Sequence, residues 1–235
     1  MNISSSKILV VDDEREVADL LEMILTNDGF TVYKFYDSPA ALSFLDRQAV
    51  DLAILDIMMP ELDGFALCRR IRKQYMFPII MLTAKVEDKD KISGLMQGAD
   101  DYITKPFNPM EVLARVKTQL RRFKQYNTAS PDAVSEEAID IRGLYINHAT
   151  HECRLYDQPI ELTPTEFDIL WLLCQNQGRV VSSEELFEQI WGERYYENNN
   201  TVMNHIGKLR EKLRESYKHP KFIKTVWGIG YIIEK

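Results

Sequence analysis

Over its first 122 residues the chain alternates short apolar runs with segments of helical period, five times in succession, and few folds accommodate that. The runs lie at 7–11, 31–35, 52–55, 78–82 and 102–104. Between and after them, apolar residues recur three and four apart: Val17, Leu20, Leu21, Ile24 and Leu25, then Phe65, Cys68 and Ile71, then Ile92, Leu95 and Met96, then Leu113, Val116 and Leu120. Ser38-Pro39 supplies the remaining helix start. Strands that are apolar throughout rather than alternating are buried on both faces. The pattern therefore predicts an α/β fold with a doubly wound, five-stranded parallel sheet.

The stretch NTASPDAVSEE at 127–137 has no periodicity and reads as a linker. We expect a first domain over 1–123, a linker over 124–138 and a second domain over 139–235. The second domain differs in kind. Strand-like runs at 144–147 and 153–156 precede three helices. Two of these open on capping boxes, Thr163-Pro164-Thr165-Glu166 and Ser182-Ser183-Glu184-Glu185. The third starts among 198–200 and runs to about Arg214, and a hairpin around Trp227-Gly228-Ile229-Gly230 follows. Helices followed by a hairpin suggest a helix-turn-helix with a wing. The net charge of −7 argues against nucleic acid as a partner only until it is divided: the last 32 residues carry eight basic and three acidic groups. A local basic patch is what a phosphate backbone meets.

Ligands of doubly wound sheets sit at the carboxyl ends of the strands. The predicted strands end in Asp12-Asp13, Asp56, Thr83 and Lys105. Singly, each has an ordinary explanation as a cap, a turn residue or a solvated charge. Together, three carboxylates, a hydroxyl and an ammonium converge on one edge. Clustered carboxylates call for a hard divalent cation with oxygen ligands, for which Mg²⁺ is suited. Asp56 could then attack a phosphoryl group to give an acyl phosphate, with Mg²⁺ and Lys105 offsetting its charge and Thr83 donating a hydrogen bond. On a helical wheel the third helix turns Val202, Ile206, Leu209 and Leu213 inward and Asn200, Asn204, Gly207 and Glu211 outward, with Lys208 and Arg214 flanking. Asn pairs with adenine, and Lys reaches guanine or phosphate.

VVDDE at 10–14, LDIMMPELDG at 55–64, MLTA at 81–84 and GADDYITKPF at 98–107 resemble the receiver domain of response regulators, a flavodoxin-like fold. LTPTEFDIL, VVSSEELFEQIW, TVMNHIGKLREKL and IKTVWGIGY resemble the winged helix-turn-helix effector of the OmpR/PhoB family. The resemblance implies that Asp56 is phosphorylated by a sensor histidine kinase. It gives Asp12, Asp13, Asp56 and the Met58 carbonyl to Mg²⁺, with Asp12 acting through water. Thr83, Ala84 and Lys105 would sense the phosphoryl group, with a cis Lys105-Pro106 bond, and Thr83 and Tyr102 would switch. A dimer face of Lys91, Ile92, Leu95, Asp100, Asp101, Glu111, Leu113 and Arg115 is implied, as are DNA contacts from Thr201, Asn204, Lys208, Arg210, Thr225, Trp227 and Tyr231. Two departures stand out: Gly207 and Trp227 occupy places where relatives carry basic residues.

The polar start and the lack of any run near ~18 apolar residues lead us to expect a cytoplasmic protein without a membrane segment. The resemblance implies a phosphorylation-dependent homodimer on direct-repeat promoter DNA, and contact with RNA polymerase. PIIMLTAKVEDKDKI, NNNTVMNHI and PKFIKTVWGIGYIIEK are most similar to regulators of glycopeptide-resistance operons, and regulators of other envelope-stress or nutrient responses are the alternative. A haloacid-dehalogenase-type aspartyl-phosphate phosphatase needs a second Asp two residues after the nucleophile, where this chain has Met58. We therefore expect a phosphoacceptor with slow self-dephosphorylation, not a turnover enzyme. The odd, scattered cysteines and the lone pair His148 and His151 support neither a disulfide framework nor a metal site.

Overall fold

The computed structural model describes residues 5–84, 98–127, 138–192, 201–216 and 218–235. They fall into two compact units, Met1–Lys124 and Gln125–Lys235.

The first unit is a five-stranded parallel sheet in the order β2-β1-β3-β4-β5. Its strands are β1 Lys7–Val11, β2 Thr31–Phe35, β3 Leu52–Asp56, β4 Ile79–Ala84 and β5 Asp101–Lys105. Its described helices are α1 Arg15–Asn27, α2 Ser38–Leu45, α3 Gly64–Ile71 and α4 Pro109–Asn127. The pleat sorts each strand into two cores. Leu9, Val11, Ala53, Leu55, Ile79 and Met81 join Ala41, Leu45, Leu67 and Cys68 on the α2–α3 side. Ile8, Val10, Leu52, Ile54, Ile80 and Leu82 join Leu21, Leu25, Val112 and Val116 on the α1–α4 side. This explains why the strands read as unbroken apolar runs. The helix expected around Ile92, Leu95 and Met96 lies outside the described residues. Helix α4 runs on to Asn127, into the stretch expected to be linker.

The second unit opens on an antiparallel sheet of β6 Ala138–Ile141, β7 Leu144–Asn147, β8 Glu152–Leu155 and β9 Gln158–Pro159. Its β6–β7 and β8–β9 hairpins turn on residue pairs with positive φ, Arg142-Gly143 (54° and 89°) and Tyr156-Asp157 (49° and 64°). That geometry matches the strand twist. Helices α5 Pro164–Gln175, α6 Ser183–Trp191 and α7 Thr201–Lys212 follow. A second sheet, β10-β12-β11, joins Val181–Ser182 to the hairpin of Ile223–Val226 and Gly230–Ile233. The capping box at Thr163 and Glu166 forms in full. At Ser182 only half of the expected box forms. Ser182 Oγ accepts from the Glu185 N–H, but the Glu185 carboxylate is held by Arg179 at 2.7 and 3.0 Å. Among the described residues no helix is long and apolar enough to cross a membrane.

Candidate functional site

The carboxyl edge of the parallel sheet collects the groups that the strand ends predicted. Asp12 follows β1 directly, Asp56 ends β3, Thr83 lies near the end of β4 and Lys105 ends β5. Carboxylate oxygens of Asp12, Asp13 and Asp56 all lie within 4.8 Å of one another. Asp12 and Asp56 are buried and Asp13 is exposed, so the cluster opens to solvent on one side. Lys105 Nζ lies 2.8 Å from Asp56 Oδ1, 2.9 Å from Asp12 Oδ2 and 3.0 Å from Glu14 Oε1. Glu14 escaped the sequence reading; its only signal was its place in the acidic run DDE.

Burial pushes the Asp12 carboxyl up to about 6, and the neighbouring Asp56 adds to this against the pull of Lys105. Burial works against the Lys105 charge, but its bonds to Asp56, Asp12 and Glu14 outweigh that and hold its pKa above the ordinary lysine value. One ammonium thus faces more negative charge than it can offset. Three carboxylates of this kind suit a hard divalent cation.

Local structure fixes Asp56. Its Oδ2 accepts the Met58 N–H at 2.7 Å, while the Met58 side chain is exposed. The loop is pinned by Gly64, whose N–H donates to Ile57 O at 3.0 Å. A Cβ at Gly64 would stand 1.9 Å from the Asp56 carbonyl oxygen, so the approach is open only to glycine. Thr83 is buried beside Thr104 in register, and Ala84 pairs with Lys105. The Lys105-Pro106 bond is cis.

In the second unit, α7 turns Val202, Ile206, Leu209 and Leu213 into the core. Asn204, Gly207 and Lys208 are half-exposed, and Met203, Glu211 and Arg214 are exposed. The hairpin β11–β12 carries Trp227 at its tip, 89% exposed, beside exposed Ile229. Gly230 seats this hairpin against β10: a Cβ there would lie 2.1 Å from Val181 O.

A model of the response regulator receiver domain matches residues 8–117, and a model of the C-terminal domain of transcriptional regulatory proteins matches 157–233. The chain is 58% identical over 233 residues to regulatory protein VanRc of Enterococcus gallinarum, covering 98% of this chain and all of that one. It is 53% identical over 232 residues to regulatory protein VanR of Enterococcus faecium, with the same coverage. This chain is a two-component response regulator of the OmpR/PhoB type. A solved structure of a RitR mutant has a TM-score of 0.71 at 26% identity, covering 98% of this chain and all of that one. In such a regulator the first unit is the receiver and the second the DNA-binding output domain.

The structure separates the residues expected on the receiver's dimer face. Lys91, Ile92 and Leu95 lie outside the described residues. Asp100 is 1% exposed within the chain. It holds Arg72 Nη2 at 2.5 Å and accepts the Ile79 N–H at 2.9 Å. Arg72 also donates to Gly98 O and Phe77 O, which makes it an internal brace that the sequence reading missed. Asp101, 2% exposed, receives both bonds from Arg115 Nη1 within the same chain, at 2.9 and 3.0 Å, and Glu111 Oε1 accepts from Arg115 Nε at 3.1 Å. Leu113 packs partly buried against the α1–α4 core. Tyr102 packs half-buried on the α2–α3 side, and burial holds its hydroxyl pKa well above the usual value.

The expected DNA contacts also divide. Asn200 lies outside the described residues. Arg210, expected among the DNA contacts, is 7% exposed and points inward. Its guanidinium donates to Ile223 O at 2.8 and 3.1 Å and to Thr225 Oγ1 at 2.8 Å, and it lies 6.0 Å from the Tyr231 ring. Arg210, Thr225 and Tyr231 therefore form one clamp joining α7 to the wing. Thr201 is 5% exposed and Tyr231 7%. Helix periodicity could not reveal this, because the partner of Arg210 is a strand backbone thirteen residues away.

Proposed function

We propose that Asp56 accepts a phosphoryl group from a sensor histidine kinase, and that this drives dimerisation and binding to direct-repeat promoter sites. The observation that carries the reading is the meeting of Asp12, Asp13, Asp56 and Lys105 at one sheet edge. In the transfer, the bond from phosphorus to the kinase nitrogen breaks as a bond from phosphorus to an Asp56 oxygen forms. Asp12, Asp13, Asp56 and the Met58 carbonyl would hold Mg²⁺, which offsets negative charge on the phosphoryl oxygens. Lys105, already bonded to Asp56, follows the charge onto the phosphoryl group, and Thr83 donates its hydroxyl. Tyr102 would report the change through the 91–115 face to a second copy.

Asn204 and Lys208 read the major groove and Trp227 meets the duplex at the wing, recruiting RNA polymerase to promoters. The regulated genes, by similarity to VanRc and VanR, are glycopeptide-resistance genes. No turnover is assigned, only slow loss of the phosphoryl group.

Intact-mass measurement after incubation with Mg²⁺ and acetyl phosphate tests the phosphoacceptor. Wild type should gain one phosphoryl mass and Asp56→Asn none; an unchanged gain in Asp56→Asn defeats the assignment. Sedimentation of the phosphorylated chain should give a dimer, and footprinting on promoters of glycopeptide-resistance genes tests the target.

A further inference from the structure

The reading helix α7 carries two lysines one turn apart, Lys208 and Lys212. Lys212 reaches across to α5. Lys212 Nζ lies 2.5 Å from Glu166 Oε2, forty-six positions earlier in the chain. Glu166 is the third residue of α5 and the reciprocal member of its capping box. Its Oε2 also accepts the Thr163 N–H at 2.9 Å, and its own N–H donates to Thr163 Oγ1 at 3.4 Å.

A capping box does not need a charge, since Gln serves at this position as well as Glu. Nor is a buried carboxylate an ordinary choice, because removing it from water is costly unless it is paired. Glu166 is nonetheless 2% exposed. Burial alone would raise its pKa, yet Lys212, Lys208 and the Thr163 N–H together hold it below the usual glutamate value. Its carboxylate is seated at the positive end of α5 and bonded to Lys212 of the DNA-reading helix. Lys212 keeps 30% of its side chain exposed, so it is not sealed away.

Phosphate contacts position a protein on DNA without reading sequence, and each neutralised phosphate steepens the salt dependence of binding by about 0.9 in log–log slope. A lysine paired with an internal carboxylate cannot make that contribution without first breaking its pair. We propose that Glu166 acts as an internal substitute for a DNA phosphate, withholding Lys212 from the duplex and so limiting sequence-independent affinity. The reading helix then meets the DNA with less indiscriminate charge. This rests on the DNA-binding role of the second unit, not on phosphorylation.

The test uses the full chain, a duplex selected by wild type from a random pool, and a scrambled duplex, with anisotropy titrations across a salt series. Glu166→Gln keeps the capping box and releases Lys212. It should tighten binding to the scrambled duplex about three- to tenfold at low salt and steepen the slope by about one. Preference for the selected duplex should fall by a similar factor. Adding Lys212→Met to Glu166→Gln should return the slope to the wild-type value, and Lys212→Met alone should leave it unchanged. A purely structural pair would instead lower thermal stability without steepening the slope. An unaltered slope in Glu166→Gln, or a slope shallower by one in Lys212→Met alone, overturns the proposal. Should Glu166→Gln not fold, Glu166→Asp, whose shorter side chain draws the carboxylate back from Lys212, takes its place with the same expected steepening and the same overturning result. A wild-type chain that selects no duplex would instead overturn the DNA-binding reading beneath it.

Discussion

The acidic sheet edge and the surface of the DNA-binding domain were expected from the same kind of sequence argument, yet the structure treats them differently. At the sheet edge, Asp12, Asp13, Asp56 and Lys105 arrive together as expected, with Glu14 added. On the reading side, Arg210, Thr225 and Tyr231 turn toward one another and hold the molecule together. Strand ends in a parallel sheet have one place to point. A helix surface offers a graded rim, where a long side chain such as arginine reaches either inward or outward according to what lies across from it.

The largest expected effect sharpens this contrast within the receiver. Arg72→Ala leaves Asp100 buried without its partner and should destabilise the unit by about 3–5 kcal/mol. Chemical denaturation measures it, with Asp100→Ala similarly costly. If either is as stable as wild type and only dimerisation suffers, Asp100 belongs on the surface after all.

Next, Arg210→Ala should cost about 2 kcal/mol of stability, because Ile223 O and Thr225 Oγ1 lose a charged donor in a buried setting. Lys208→Ala should cost less stability than Arg210→Ala and reduce the salt slope of DNA binding by about 0.9. Thermal melts beside salt titrations separate the two. Arg210→Ala with wild-type stability and a reduced slope would return Arg210 to the DNA.

A subtler effect concerns pH at the sheet edge. The Asp12 pKa is raised in the folded state from 3.8 to about 6. Its contribution to stability is therefore fully present below about pH 4 and is lost as pH rises through about 6, when the buried carboxylate ionises. A divalent ion binds the ionised form. The rise in Tm on adding Mg²⁺ should accordingly be small at pH 5 and larger at pH 7.5, and Asp12→Asn should flatten the difference. A Mg²⁺ effect independent of pH would mean that Asp12 does not face the ion.

The smallest effect lies at the end of α7. Arg214 sits at φ 55° and closes the helix, with the Glu215 N–H bonding to Arg210 O and the Arg214 N–H to Glu211 O. Arg214→Gly should relieve the left-handed strain and stabilise the unit by up to about 1 kcal/mol. A lower Tm in that variant would show that the arginine side chain supports the fold.

Apolar runs, helical periods and cap residues in the chain by themselves determined the parallel sheet, its described flanking helices and the winged output domain. They also determined the acidic edge, because strand ends of a doubly wound sheet share one side. The tertiary structure alone decided which polar side chains stay at the surface. Asp100 and Arg210 look like surface charges in sequence, and their partners, the Arg72 side chain and the Ile223 carbonyl, lie 28 and 13 positions away. Glu166 reads locally as a helix cap, and only packing brings Lys212 to it. Local pattern reports which face of an element is apolar. It does not report what stands opposite a charge, and in a low-dielectric interior that opposing group decides whether the charge braces the fold or meets a ligand.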